Sequence, residues 1–251
     1  RRETVGGLRH FLDLDAPPKQ WDLPADIDVA WILAGMTSQT ACDKDPQRSR
    51  WINVSQLLTA ATLLCDGGAH LVFPSTNLVF GGKTSDCRQN DPTSPMGNYA
   101  RQKCEVELSL LATFRNVAIL RMGKIIDSNL PILKAWIAAL RRNEPIRAFG
   151  DLQISPVDSV LAVTALQTTG ERRVTGILHL SANDQSSYAD FALMLADRMG
   201  VDPGLVIITK SPEAVSHATM DASLTERMLD IKLPSSRDVL ASVINQALQT
   251  S

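Results

Sequence analysis

The chain is poor in aromatic residues, 5% in all, and has only two tyrosines in 251 residues. It also lacks an excess of charge of either sign. Its formal net charge of −2 leaves no basic field to draw nucleic acid or an anionic membrane surface, so small polar ligands are the expected partners. Its four cysteines, Cys42, Cys65, Cys87 and Cys104, are spaced neither as a zinc knuckle nor as a CxxC redox pair. They read as free thiols in a reducing cytoplasm, and no metal site is expected. No apolar stretch approaches the roughly eighteen residues of a membrane span, and no charged-then-apolar leader precedes the first element. A soluble, cytoplasmic protein is the expectation.

Glycine is scarce where a dinucleotide site would need it. Gly6 and Gly7 do not form a GxxGxxG phosphate loop between a strand and a helix, although a dinucleotide-binding unit normally opens with that loop. Some thirty-odd residues, roughly the opening of one βαβ unit, are therefore expected to precede Arg1. Arg1 and Arg2, if they end the second strand of such a unit, hint at a 2′-phosphate, which pairs well with guanidinium.

What is present is the balance of a folded globular chain, 44% apolar and 21% charged. Its length suits one large α/β domain or a main domain with a smaller appendage. Four apolar runs of strand length begin near Ile27, Leu71, Val117 and Thr175. Their continuous rather than alternating apolarity predicts strands covered on both faces. Between them lie residues 49–65, with apolar positions at helical spacing stopped by Gly67-Gly68, and a second helix carrying Tyr99. Helices are also expected over 131–142, 156–167, 188–199, 223–229 and 235–248, with a short strand at residues 10–14 ending at Asp13. This alternation predicts a doubly wound parallel sheet with a small, mostly helical second part. The first part is assigned to 1–123 and 154–182, the second to 124–153 and 183–251. His179, inside the last clear strand, is expected to be a buried neutral side chain.

Tyr99 and Lys103 stand four residues apart, so phenol and ammonium share one helix face. A neighbouring cation favours the phenolate and lowers the phenol pKa, which would ready Tyr99 as a proton donor. The strand from Leu71 to Phe73 runs into Pro74, Ser75, Thr76 and Asn77. Hydroxyls at its carboxyl end, facing the Tyr99 helix, would grip one carbonyl oxygen together with the phenol. The segments STNLVFGG and NDPTSPMGNYARQKCEVE resemble the active-site region of the extended short-chain dehydrogenase/reductases. The resemblance is closest to the dTDP-4-dehydrorhamnose reductase branch, which also holds the beta regulatory subunit of methionine adenosyltransferase.

That resemblance implies a Rossmann-like fold and an NAD(P)-dependent reductase of a nucleotide-linked 4-keto sugar, with NADP or NAD as cofactor. It assigns catalysis to Thr76, Tyr99 and Lys103, with Ser75 as the alternative hydroxyl. Ala34, Gly35 and Thr37 are implied along the cofactor, Asn53 behind the site, and Asp13 against the adenine, although Asp13 also reads as a turn cap. Ser75, Asn77, Asp151 and Gln153 are implied on the substrate side. Asp151 and Gln153 read equally as caps of the helix expected at Pro156, because Leu152 splits the family's Asp-Gln pair. The partner is then a nucleotide sugar, with no nucleic acid and no membrane; a homodimer is compatible. Two other functions stay open: a non-catalytic sugar-nucleotide-binding or regulatory protein, favoured by Asn77-Leu78 where the reductases carry Asp-Tyr, and a nucleotide-sugar epimerase or dehydratase.

Overall fold

A computed structural model describes residues 12–24, 26–212 and 215–250. Strand β1 (Val29–Trp31) leads into α1 (Gln39–Lys44), then α2 (Pro46–Arg50), a π-helical turn (Trp51–Gln56) and α3 (Leu57–Asp66). This helical run starts before Ser49 because Asp45 caps α2: its Oδ1 accepts the Arg48 N–H at 3.0 Å, and Pro46 takes the first helical position. Strand β2 (His70–Thr76) passes through a 3-10 turn (Asn77–Phe80) and a loop to α4 (Gly97–Thr113). Then come β3 (Val117–Met122), β4 (Lys124–Ile126), α5 (Pro131–Arg141), β5 (Ile146–Phe149), β6 (Gln153–Ile154) and β7 (Pro156–Asp158). The rest is α6 (Ser159–Glu171), β8 (Gly176–Leu180), β9 (Ser186–Ser187), α7 (Tyr188–Met199), β10 (Val206–Thr209), α8 (Ser223–Leu229) and α9 (Ser236–Gln249).

Four strands form one parallel sheet in the order β1-β2-β3-β8, as the four apolar runs predict. Helices cover both faces, giving a Rossmann-like α/β architecture. On one face Leu71, Phe73, Val117 and Ile119 pack with Leu57 and Ala61 of α3 and Val106 and Leu110 of α4. On the other, Leu120, Met122 and Leu178 pack with Ala162 and Ala165 of α6 and Leu229 of α8. A further apolar cluster joins α5, α7 and α9 to β5, with Trp136 and Phe191 meeting edge to face at 5.7 Å.

Several boundaries differ from expectation. Strand β1 is an edge strand of this sheet, and Trp31 is exposed rather than covered on both faces. Its indole lies over Gly170 of α6, where an added Cβ would stand 2.3 Å from Cζ2, and donates from Nε1 to the Leu166 carbonyl at 2.7 Å. The run from Val117 to Ile126 is two strands. It breaks at Gly123, where the Ser155 carbonyl oxygen lies 2.1 Å from any Cβ, and the chain leaves the sheet there to pair β4 with β7. Consequently α6 begins at Ser159, capped by Asp158 through the Leu161 N–H at 2.7 Å, and neither Asp151 nor Gln153 caps it.

Candidate active site

The site is built where the carboxyl ends of adjacent parallel strands meet the start of α4. Met96 gives α4 no side-chain cap, so the Asn98 N–H, one of the unpaired donors of the first turn, bonds Asp43 Oδ1 at 3.0 Å. The Asn98 side chain holds the same oxygen at 2.8 Å. These bonds tie the turn that carries Tyr99 to the short helix α1, where Asp43 sits. One turn on, the Lys103 Nζ donates to the Pro74 carbonyl oxygen at 2.8 Å and lies 4.2 Å from the Phe73 ring centroid. Lys103 thus ties α4 to the last residues of β2, two positions before Thr76. A desolvated cation over a ring contributes on the order of 2 kcal/mol.

Thr76 ends β2 in extended conformation, and its Oγ1 accepts the Leu78 N–H at 3.2 Å, opening the 3-10 turn. Ser75 is buried, and its Oγ has no hydrogen-bond partner among the described residues. After β1, residues Ala34, Gly35 and Thr37 follow as an exposed segment. Gly35 has φ +149° and stands where a Cβ would come 2.9 Å from Asn53 Oδ1, so glycine is required on both counts.

Asn53 lies in the π-helical turn, a local widening that often accompanies functional sites. It is buried and clamps that segment from behind. Its Oδ1 accepts the Met36 N–H at 2.7 Å, and its Nδ2 donates to the Met36 carbonyl at 2.9 Å and to Gln102 Oε1 at 2.8 Å. Gln102 then donates to Ser49 Oγ at 2.8 Å. Sequence reasoning missed Gln102 and Asp43. The signal available was a polar residue beside Lys103 on a half-buried helix, which spacing alone does not distinguish from a surface position.

The expected tuning of the phenol is not what this arrangement gives. Burial pushes Tyr99 up to about 12, with the Cys42 thiol acting in the same direction. The Lys103 ammonium is turned onto Pro74 and Phe73 and stands 5.9 Å from the Tyr99 ring centroid. Burial also holds Lys103 down to about 8, partly offset by Glu107. The pair therefore keeps a neutral phenol beside an ammonium that is close to releasing its own proton.

The remaining predicted residues are placed as follows. Asp13 lies in a turn rather than a strand, its Oδ1 accepting the Asp15 N–H at 2.9 Å and its carbonyl the Ala16 N–H at 3.0 Å, and a 3-10 turn over Pro18–Gln20 follows. The rest of the expected strand at residues 10–14, and Arg1, Arg2, Gly6 and Gly7, lie outside the described residues. Asn77 donates from Nδ2 to the Ala218 carbonyl at 3.3 Å. Asp151 accepts the Ser211 N–H at 2.7 Å, and Gln153 lies in β6, its N–H on the Val215 carbonyl at 2.9 Å. These three hold Ser211, Val215 and Ala218. His179 is buried and neutral, as expected, held down to about 4 by burial and by Arg121. The four cysteines are free, and no cluster of metal-ligating side chains occurs among the described residues. No helix among them is long and apolar enough to cross a membrane.

Among known proteins, the chain is similar to the spore coat polysaccharide biosynthesis protein SpsK of Bacillus subtilis, 25% identical over 72% of this chain and 65% of that protein. It is similar also to the methionine adenosyltransferase 2 subunit beta of Bos taurus, 23% identical over 72% of this chain and 58% of that one. The chain thus spans roughly three-fifths of the length of these curated relatives. In fold it is like the dTDP-4-dehydrorhamnose reductase of Bacillus anthracis solved in complex with NADP, with TM-score 0.77, 18% identity, and coverage of 86% of this chain and 78% of that one. The family described as RmlD substrate binding domain matches from residue 4 to residue 249, almost end to end, and the chain belongs to it.

Proposed function

We propose that the protein is an NAD(P)-dependent reductase of a nucleotide-linked 4-keto sugar, of the dTDP-4-dehydrorhamnose reductase kind. The observation that carries this reading is the Lys103 bond to the Pro74 carbonyl oxygen, which ties the helix that bears Tyr99 to β2 two residues before Thr76. The Thr76 hydroxyl would hold the substrate carbonyl oxygen, and Tyr99 would give that oxygen its proton. General acid help of this type contributes about a hundred- to ten-thousandfold in rate. Lys103, with two N–H groups left after Pro74, would hold ribose hydroxyls of the cofactor and resupply the proton. The cofactor, when bound, supplies the hydride.

The residues present fit the nicotinamide and ribose end of such a cofactor. The exposed Ala34-Gly35-Met36-Thr37 backbone offers a flat approach, and Asn53 fixes it through Met36. No phosphate-binding glycine loop falls among the described residues, so the pyrophosphate is assigned to none of them. Residues 1–123 and 154–182 are assigned to the cofactor, and 124–153 and 183–251, around the α5, α7 and α9 cluster, to the sugar, with Ser75, Asn77, Asp151 and Gln153 bordering it. Asp13, in its turn, remains the candidate for the adenine side. The protein is assigned to the cytoplasm, in keeping with its buried free thiols, and a homodimer is compatible with this reading.

A regulatory, non-catalytic role is the second reading. It is favoured by the phenol held near 12 rather than lowered, by Asn77-Leu78, and by the likeness to the methionine adenosyltransferase subunit. Incubating the full-length protein with reduced cofactor and a dTDP-linked 4-keto sugar separates the two. Loss of reduced-cofactor absorbance is expected. Calorimetric binding of the nucleotide sugar without cofactor oxidation, for NADH and NADPH alike, hands the function to the regulatory reading.

A further inference from the structure

A buried carboxylate one helical turn from Lys103 pairs with a buried guanidinium. Lys103 and Glu107 stand on successive turns of α4, and Glu107 is 1% exposed. Its Oε2 accepts from both Nε and Nη2 of Arg121 in β3, at 3.0 and 2.7 Å. Arg121 is 4% exposed; its Nη1 also donates to the Gln89 carbonyl at 3.2 Å, and its guanidinium lies 4.9 Å from the Phe80 ring centroid. Register puts Ser75, Arg121 and His179 side by side across β2, β3 and β8, so a polar row crosses the sheet next to the carbonyl that holds Lys103. Two atoms around this row, Glu107 Oε1 and Ser75 Oγ, are buried with no partner among the described residues. A buried carboxylate oxygen left without a protein donor is costly, so its presence calls for an explanation.

We propose that Glu107, held in place by Arg121, is a positioning residue that acts through Lys103, its carboxylate being the counter-charge that keeps the Lys103 ammonium protonated at the site. This rests on the reductase reading only for its consequence in turnover. Among the described residues, the groups facing Lys103 from each packed element leave no other buried anion. On α4 itself Tyr99 is neutral, and from α1 the Cys42 thiol is pushed up by burial, while Asp43 is exposed and occupied by Asn98. The π-helical turn offers neutral Asn53, and Arg50 of α2 is turned outward onto exposed Glu105. From β8 His179 is neutral. A guanidinium does not lose its proton in a protein. If the Glu107 charge is removed, the surplus positive charge can be relieved only at Lys103, whose pKa is already held down to about 8 by burial.

The test is a pH titration of lysine side-chain NMR signals in the full-length protein, with Lys103 identified by the signal lost in Lys103→Met. In the unmutated protein the midpoint is expected at about 8. Glu107→Gln should lower it by at least about one pH unit, and Glu107→Asp should restore most of that shift. Arg121→Met, which removes the competing cation, should raise it. A midpoint unmoved or raised in Glu107→Gln overturns the proposal. Should that variant not fold, a midpoint unmoved or lowered in Arg121→Met does so, as does an unmutated Glu107 whose labelled carboxyl carbon carries a proton at neutral pH. None of these readouts needs turnover, so a protein without reductase activity leaves the proposal standing or falling on its own. Where turnover is measured, the alkaline limb of the kcat profile should move with the Lys103 midpoint.

Discussion

Replacing Asn53 by Ala should destabilise the protein through the segment that borders the proposed cofactor site, without opening the apolar core. The substitution removes three strong hydrogen bonds, two to the Met36 backbone and one to Gln102 Oε1, at 2.7, 2.9 and 2.8 Å. A typical bond of this kind contributes a net 0.5–1.5 kcal/mol, roughly 1.5–4.5 in sum, and a buried partner left unsatisfied costs further. Met36 is half-buried and can turn to water, whereas Gln102 cannot, which places the expected loss at about 2–4 kcal/mol. Urea unfolding followed by circular dichroism gives that figure, and hydrogen exchange reports whether the Met36 amide has lost its protection. Asn53→Asp should be no better than Ala, because it keeps the acceptor but sets a carboxylate against two carbonyl oxygens. A loss below about 1 kcal/mol with the Met36 amide still protected would show that Asn53 does not hold this segment.

Two further outcomes follow from the same geometry. Burial raises both tyrosines, Tyr99 to about 12 and Tyr188 in the same direction, so the folded state keeps protons that the unfolded chain releases near 10. Stability from Tyr99 is therefore complete below pH 10 and lost as pH rises from 10 towards about 12, and an absorbance titration showing phenolate at or below pH 10 in folded protein would contradict it. Gly123→Ala forces a Cβ to within 2.1 Å of the Ser155 carbonyl and should cost at least about 1–3 kcal/mol, read as a lower urea midpoint; an unchanged midpoint would mean that β3 and β4 are not joined by that close approach.

The parallel sheet was legible because its central strands are buried on both faces, and the residues that accomplish this, such as Leu71, Val72 and Phe73, form an uninterrupted apolar run. The bounds of α7 were legible for a local reason too: Ser187 and Asp190 close a capping box at its start, and Gly200 ends it with φ +66°. The Tyr99 and Lys103 spacing put both on one helix face, but not the direction in which the ammonium points. That direction is set by Pro74, twenty-nine residues away in sequence, while burial sets the sign of the Tyr99 shift. Arg121 lay inside an apolar run, a warning that a buried cation needs a partner; its partner Glu107 comes from another element, so no local pattern joins them. Gly123 hid the end of β3 because a close backbone approach leaves no periodic trace.

The central claim is that Tyr99 gives the proton in reduction of a nucleotide-linked 4-keto sugar. Replacing it by Phe in the full-length protein removes one hydroxyl and keeps the ring, so the fold and cofactor affinity should hardly change. Steady-state reduction of a dTDP-linked 4-keto sugar should fall at least about a hundredfold, whereas Lys103→Ala should weaken cofactor binding as well as rate. A Tyr99→Phe protein that reduces the sugar as fast as the unmutated one would contradict the account.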